Sequence, residues 1–271
     1  MNKYILIGIL LTAFISEIMA QNADSTLYKR KSIGIAAGYY RAGLLDKTMS
    51  PLLYIGNGTN VSIAYNKQSK KSINQFELQF SYLPLYPEDN SIVKKFDAIQ
   101  SNDTEIWKEY PLMSINAILS YDHLRNIKLQ NSKIELFVGG TLYNYIQVMY
   151  PNSWILAYSI GPKGTLHYSI NEKHKINTSL QFPLISIVER PPYATYNYDI
   201  MYGSIISRFY TGKLMWPNNF FYSKLLVEYQ YTISEKISFS ASYNNTYYKC
   251  KKNREYTSIV NALNFGVNYK F

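Results

Sequence analysis

The strongest constraint on the fold is a strict alternation of side chains over residues 261–271. Large apolar side chains occupy every second position and small or polar ones lie between them: Leu263, Phe265, Val267, Tyr269 and Phe271 against Ala262, Asn264, Gly266, Asn268 and Lys270. Successive side chains of a β-strand point to opposite faces of the sheet. The segment therefore predicts a strand with one apolar, largely aromatic face and one polar face.

Alternation of the same kind recurs along most of the chain. Residues 221–233 and 236–247 both alternate, and the polar residues 233–236 between them predict a tight turn and a long hairpin. Weaker alternation marks residues 32–40, 59–65, 73–83, 112–123, 133–147, 155–168 and 175–188. We therefore expect about ten strands, with eight or twelve still possible because short strand signals are individually weak.

The connections between these strands differ in length in a regular way. Short polar turns alternate with longer connections, which are residues 41–53, 84–108, 148–154, 189–219 and 248–256. Transmembrane β-barrels show this asymmetry, because their periplasmic turns are short and their external loops longer. A secreted β-sandwich would also alternate, but it predicts shorter strands and an interior rich in Val and Leu. The 28 tyrosines of this chain favour the barrel, since Tyr has an apolar ring and a hydroxyl suited to a wet interface.

The final strand and its terminal Phe271 resemble the closing strand of bacterial outer-membrane β-barrel proteins. In that family such a strand is the signal read by the barrel-assembly machinery, which is therefore an expected partner. The resemblance covers essentially the whole mature chain without matching one characterised subfamily. It implies an all-β, antiparallel up-and-down transmembrane β-barrel of about ten strands in a Gram-negative outer membrane, with short periplasmic turns and longer external loops.

The N-terminus predicts export. Lys3 precedes an apolar run over residues 5–15, and Ala20 stands before the expected mature start at Gln21. This is the pattern of a secretory signal peptide, and the run is too short for a membrane-spanning helix. We expect residues 1–20 to be a cleaved signal peptide and residues 21–271 to form one barrel domain.

The chain is basic, with a formal net charge of +10 and a single cysteine, Cys250. A basic exported protein attracts anionic groups, so outer-membrane lipid and lipopolysaccharide are the expected partners, with a further envelope protein possible. No motif for nucleic acid, nucleotide or metal is present, so we expect no nucleic-acid partner, no cofactor and no metal site. The lone cysteine makes no internal disulfide.

Three charges lie on the polar faces of the predicted strands at similar heights above their turns. These are Glu77, Lys163 and Glu228. Opposed charges inside a small barrel are expected to pair, since an uncompensated buried charge is costly. They predict either a structural set of internal ion pairs or a selectivity ring for a narrow pore.

The longer connections carry the remaining candidates. The connection near residues 189–219 offers aromatic and charged side chains suited to sugar or peptide recognition: Arg190, Tyr193, Tyr196, Tyr198, Asp199, Arg208 and Trp216. It could instead fold back as a plug into the barrel mouth. The last external connection is basic and suits lipopolysaccharide phosphates, through Lys249, Lys251, Lys252 and Arg254.

The function that these features favour is non-enzymatic. We expect a barrel that presents external loops for binding or forms a narrow or gated pore. The alternatives are a lipid A-modifying or proteolytic barrel enzyme and a membrane subunit of an export or assembly complex. His167 and Ser169 resemble a fragment of the His-x-Ser-Asn segment of lipid A 3-O-deacylases, but Ile170 is inserted before Asn171 and the predicted position is periplasmic. We nominate no catalytic residue.

Overall fold

The computed structural model of the protein describes residues 30–47, 52–88, 112–127, 133–150, 153–190 and 212–271. The predicted signal peptide, residues 1–20, lies outside this range. Twelve β-strands follow one another along the chain: β1 (Arg30–Asp46), β2 (Leu53–Gln68), β3 (Ser72–Pro87), β4 (Leu112–Ile127), β5 (Ile134–Tyr150), β6 (Ser153–Ser169), β7 (His174–Gln181), β8 (Ile185–Glu189), β9 (Lys213–Met215), β10 (Phe220–Thr232), β11 (Ile237–Cys250) and β12 (Tyr256–Lys270). Across the described ranges, no helix is long and apolar enough to cross a membrane.

These strands close into an antiparallel up-and-down barrel. Neighbours in sequence are mostly neighbours in the wall, and β12 closes the cylinder by pairing with β1 along its whole length, from Ser32 opposite Lys270 to Asp46 opposite Tyr256. The segments β7 and β8 both pair with β6 and occupy one position in the wall, while β9 and β10 share another. Twelve hydrogen-bonded segments therefore build a ten-stranded barrel, as the alternation predicted.

The break between β7 and β8 lies at Pro183, which has no backbone N–H to donate. Leu184 restores the pairing by donating from its backbone N–H to the carbonyl of Ile160 at 2.9 Å. Gly161 lies directly opposite, and a Cβ at that position would stand 2.0 Å from the carbonyl oxygen of Phe182. Glycine is thus required there because the two chains approach too closely for any side chain.

The alternation sorts side chains to the two sides of the wall as predicted. Tyr229, Tyr243, Phe265 and Tyr269 lie on the outer surface, where each is between 40% and 63% exposed. Their neighbours Glu228, Asn244, Asn264 and Asn268 line the internal cavity. A strand shifted by one residue would exchange the two sets completely. The predicted register is therefore confirmed, and the outer surface is an apolar belt suited to contact with lipid.

Both described ends of the chain, Arg30 and Phe271, lie at the end of the barrel that carries the short turns, which is the periplasmic end in this architecture. The strands extend further toward the opposite end than the alternation predicted. The prediction of 148–154 as a longer connection was wrong, because β5 reaches Tyr150 and β6 begins at Ser153. The alternation fades in the outer part of β2, at Gly56, Asn57 and Gly58, where small and polar residues follow one another on both faces.

Strand length explains this difference. Spanning a membrane takes about 9–11 residues per tilted strand. Here β1 has 17 residues, and at the usual tilt such a strand rises about 40 Å, well beyond an apolar belt of about 25 Å. The outer ends of the strands therefore project above the membrane, where a lipid-facing stripe is no longer needed.

Candidate functional site

The lumen is divided into four levels along the barrel axis. At the periplasmic end lies a polar cavity of about 220 Å³, which we call the inner vestibule. Its wall consists largely of Ser, Thr, Asn and Gln side chains from all around the barrel. Arg30, Lys175 and Lys270 line both this cavity and a wider basin at the periplasmic mouth. The vestibule therefore opens toward the periplasm.

At the inner end of the vestibule lies a charge layer formed by Glu77, Asp122, Lys163, Lys224 and Glu228. Lys163 donates to Asp122 at 2.6 Å, and both side chains are at least nine-tenths buried. Lys224 on β10 reaches Glu77 on β3 at 3.4 Å across the lumen, and Glu228 accepts from the amide of Asn177 at 2.9 Å. Pairing of this kind avoids an uncompensated charge in a low-dielectric interior.

The three predicted lumen charges thus lie in one neighbourhood. Glu77 is close enough to Lys163 and Glu228 for their charges to interact. The residues that pair with Lys163 and Glu77, namely Asp122 and Lys224, were not nominated from the sequence. Continuing the alternation of β4 past Ser120 would have identified Asp122, because every second residue from Ser114 to Leu124 is buried.

The third level is an aromatic cluster that we call the tyrosine plug, made of Tyr143, Tyr145, Tyr222, Tyr248 and Tyr256. Each of these side chains is at most 3% exposed. Tyr143 stacks on Tyr222 with ring centroids 4.2 Å apart, and Tyr145 stacks on Tyr248 at 4.5 Å. The hydroxyls of Tyr143 and Tyr248 hydrogen-bond to each other, and that of Tyr256 donates to Gln147 at 2.5 Å. Stacked rings and paired hydroxyls make a dense interior in which the buried polar groups find partners.

Aliphatic and aromatic residues fill the space around the tyrosine plug. Leu44, Leu83, Leu85, Met149 and Phe220 are all buried in the same cluster. The internal cavity is lined by residues of the periplasmic half of the barrel, so the plug separates the vestibule from the outer end. Cys250, the only cysteine, is buried in this cluster.

The fourth level is a polar network at the outer end, which we call the outer clasp. Its centre is a fully buried ion pair between Arg190, at the end of β8, and Asp46, at the end of β1. Asp46 also accepts from the hydroxyl of Ser153 at 3.0 Å. The Arg190 guanidinium further donates to the carbonyl of Arg254 at 2.6 Å and lies over the ring of Tyr256. One arginine thus joins β1, β8 and the connection between β11 and β12.

That connection makes the reciprocal contacts. Lys252 donates to the Val188 carbonyl and to the Glu189 carboxylate, both at 2.9 Å, and the Asn253 amide donates to the Arg190 carbonyl at 2.8 Å. Asn253 has a φ of 64°, which asparagine tolerates better than most residues. Outside the clasp, Lys47 donates to Glu255 at 2.7 Å, and this hydrogen bond with the Lys47 charge lowers the pKa of Glu255.

The structure therefore separates the predicted loop residues into two groups. Arg190 and Lys252 are buried with their charges engaged by the protein, whereas Lys251, Arg254 and Trp216 are exposed and Lys249 is half-buried. Contact of Arg190 or Lys252 with an external ligand would require the outer clasp to open. The other predicted loop residues lie outside the described part of the chain, namely Tyr193, Tyr196, Tyr198, Asp199 and Arg208.

His167 and Ser169 lie on the wall of the inner vestibule. The His167 Nδ1 atom is 4.0 Å from the carboxylate of Glu135, and its ring packs against Phe137. No hydrogen bond joins Ser169 to His167 among the described residues. The pair faces the periplasm, far from the outer leaflet in which lipid A resides. Among the residues the structure describes, no three His, Cys, Asp or Glu side chains cluster as metal ligands would.

Likeness to known proteins is confined to the barrel fold. No family model and no curated protein matches the sequence. Among solved structures, the outer membrane protease OmpT from Escherichia coli is similar over 93% of this chain and 99% of its own, with 10% identity and a TM-score of 0.47. The translocator domain of autotransporter NalP from Neisseria meningitidis is similar over 99% of this chain and 98% of its own, with 8% identity and a TM-score of 0.36. Neisserial surface protein A is similar over 88% of this chain and 97% of its own, with 12% identity and a TM-score of 0.33.

Proposed function

We propose that this outer-membrane barrel is a plugged, non-conducting scaffold that presents its external loops for binding, and the loop of residues 191–211 above all. The observation that carries the proposal is the outer clasp. Arg190 is the last residue before this loop, and it is tied to Asp46 and to the backbone of Arg254. A buried ion pair at the base of a loop fixes where the loop leaves the barrel, which is what a presented binding surface requires.

The tyrosine plug supports the non-conducting part of the proposal. A pore needs a continuous hydrated path, whereas these five side chains are packed together with aliphatic residues, and the hydroxyls of Tyr143 and Tyr248 are paired. A narrow pore, the other role that the sequence left open, requires the plug to move as a unit. Measuring ion conductance through a single barrel distinguishes the scaffold, which should not conduct, from the pore, which should.

The loop itself supports the binding part. Residues 191–211 contain five tyrosines and Arg208, a composition in which aromatic faces and a guanidinium suit sugar or peptide recognition. We further propose that Lys251 and Arg254, exposed beside the clasp, contact lipopolysaccharide phosphates. Export by a cleaved signal peptide belongs to the same proposal, and N-terminal sequencing of the mature protein should then begin at Gln21.

The conduction test uses the purified protein in planar lipid bilayers. The wild-type protein should give no stable ion conductance. The double variant Tyr143→Ala, Tyr248→Ala should conduct, because it removes two stacked rings from the plug. Tyr39→Ala is the matched control, since Tyr39 is 52% exposed on the outer surface and its loss should leave the lumen closed. Stable conductance of the wild-type protein would reject the scaffold in favour of the pore.

The binding test exchanges the loop. Residues 191–211 are replaced by a Gly/Ser linker of equal length, with Arg190 and the clasp retained. Wild type and variant are then compared on arrays of oligosaccharides and peptides, after both are shown to be folded by their faster migration in SDS before boiling. We expect ligands that the wild type binds and the variant does not. Identical binding profiles would show that this loop is not the recognition surface.

A further inference from the structure

The periplasmic mouth of the barrel gathers an excess of positive charge in a concave space. The basin there has a volume of about 930 Å³, within the range of pockets that hold small ligands. Six basic residues line it against two acidic ones, Glu172 and Glu235. The basic residues are Arg30, Lys31, Lys133, Lys175, Lys236 and Lys270.

The two ends of the barrel treat their basic residues differently. At the outer end, Lys47, Lys249 and Lys252 each form an ion pair with a glutamate. At the periplasmic mouth, by contrast, no carboxylate of a described residue lies within the 4.0 Å ion-pair distance of the ammonium groups of Lys175 and Lys270. These outer lysines therefore have counter-charges, whereas the two lysines of the periplasmic mouth have none among the residues that the structure describes.

The basic residues of the mouth also lie near one another. Lys270 lines the basin together with Lys175 and Arg30, close enough to both for their positive charges to repel. Like charges held together in a concave surface concentrate the field and attract an anion. An anion among Arg30, Lys175 and Lys270 would relieve this repulsion at the point where the basin opens into the inner vestibule.

Deeper in the vestibule the wall offers hydrogen-bond acceptors. Ser242 and Glu228, which lie opposite each other on β11 and β10, both line it there. Glu228, which also lines the vestibule, faces Asn177, and Asn177 lies two residues beyond Lys175, or about 7 Å along the strand. Acceptors at this depth suit the hydroxyl groups of a ligand whose anionic end stays at the mouth.

We propose that the basic basin and the inner vestibule bind a hydroxylated organic anion from the periplasm, of the class of sugar phosphates and sugar acids. The anionic group lies among Arg30, Lys175 and Lys270. The hydroxylated body extends inward toward Glu228 and Ser242. This site is at the opposite end of the barrel from the external loops, so it is independent of the scaffold function proposed above.

The test is calorimetric titration of the full-length mature protein in lipid nanodiscs with three matched probes. Glucose 6-phosphate carries both parts of the ligand, inorganic phosphate only the anion, and glucose only the hydroxyl groups. We expect glucose 6-phosphate to bind at least tenfold more tightly than either of the others, and to bind more weakly as salt is added. Equal binding of glucose and glucose 6-phosphate, or no binding of glucose 6-phosphate, would overturn the proposal.

Variants then locate the site. Lys175→Gln combined with Lys270→Gln should weaken binding of glucose 6-phosphate at least tenfold, whereas Lys251→Gln, an exposed lysine of the outer end, should leave it unchanged. Ser242→Ala should weaken binding of glucose 6-phosphate but not of inorganic phosphate. All variants are first shown to be folded by heat-dependent migration in SDS. If Lys251→Gln weakened glucose 6-phosphate binding as much as the double variant did, the binding would come from the net charge of the protein, and a site at the mouth would be rejected.

Discussion

At the scale of single residues, the outer clasp shows how one side chain organises several strand ends. Arg190 is one of the largest fully buried side chains in the barrel, and its partner Asp46 is 1% exposed. Burying two charges is expensive, and their attraction offsets the cost only when the geometry is good and the remaining donors are satisfied. Here the carbonyl of Arg254 and the hydroxyl of Ser153 supply further hydrogen bonds.

Removing one partner of this pair should be far more damaging than removing an exposed one. Arg190→Met leaves Asp46 buried without its counter-charge, and we expect the free energy of unfolding to fall by about 3–5 kcal/mol. Lys47→Met, which breaks the exposed pair with Glu255, should have a much smaller effect. The measurement is urea-induced unfolding in lipid vesicles.

A double variant completes this comparison. If Asp46→Leu is added to Arg190→Met, no unpaired charge remains, and much of the lost stability should return. A double variant as unstable as the sum of the two single variants would contradict our interpretation, because the loss would then come from packing and not from the stranded charge.

The residue scale also shows what a sequence can predict about a site. Glu77, Lys163 and Glu228 were identified because each lies on the polar face of an alternating strand. Arg190 could only be assigned to a loop, since its partner Asp46 is 144 positions away and lies at the end of another strand. Pairing across a barrel depends on closure and register, and neither can be read from the residues around Arg190.

At the scale of elements, one interruption of the wall lies where β7 gives way to β8. Pro183 cannot donate a backbone hydrogen bond, and Gly161 on β6 lets the interrupted strand approach closely. Glycine and proline within strands predict a bulge or bend, and the structure has an interrupted strand there. In the adjacent position of the wall, a four-residue turn over residues 216–219 separates β9 from β10.

Two glycines of β6 provide a matched pair for testing this close approach. A Cβ at Gly161 would collide with the Phe182 carbonyl, whereas one at Gly164 would meet no atom within 4 Å. We expect Gly161→Ala to lower the free energy of unfolding by about 1–3 kcal/mol, as overpacking does, and Gly164→Ala to change it by less than about 0.5 kcal/mol. Unfolding in urea measures both changes. Equal effects would show that the close approach of Phe182 to β6 does not decide which residue is tolerated at position 161.

The elements were predictable where lipid imposes a pattern. Alternation located the membrane-facing portions of β10, β11 and β12 to within a few residues, since each outward position must be apolar. It underestimated the outer portions of β1 and β2, which extend to Asp46 and begin at Leu53. Those portions project above the membrane, so both of their faces tolerate polar and small residues.

At the scale of the whole molecule, a uniform outer surface encloses a lumen of four distinct levels. The outer surface needs only apolar side chains at alternate positions. The interior must fill a cylinder by packing residues that are distant in sequence, such as Tyr143 and Tyr248, which are 105 positions apart. The fold class and the outer surface were therefore predictable, whereas the plug and the clasp were not. The external loops that we propose as binding surfaces depend on residues without any such periodicity.

The apolar outer surface makes a prediction about the surroundings of the barrel. Phe265 is the most exposed large apolar residue among those described, at 63%, and lies about 13 Å above the periplasmic end of its strand, near the middle of an apolar belt of about 25 Å. Phe265→Arg should therefore lower the free energy of unfolding in lipid vesicles by about 2–4 kcal/mol. Tyr86→Arg, on the outer end of β3, should cost less because that position is nearer the outer interface. Similar costs at the two positions would contradict this placement of the belt in the membrane.

The position of Cys250 gives the molecule an internal reporter. Its thiol is buried between the tyrosine plug and the outer clasp, and Cys250 is followed two residues later by Lys252, which belongs to the clasp. An alkylating reagent can reach this sulfur only when the outer end of the barrel loosens, so its rate of reaction follows the population of that open state. The opening of the barrel at the base of the external loops can therefore be followed through the alkylation rate of the native cysteine.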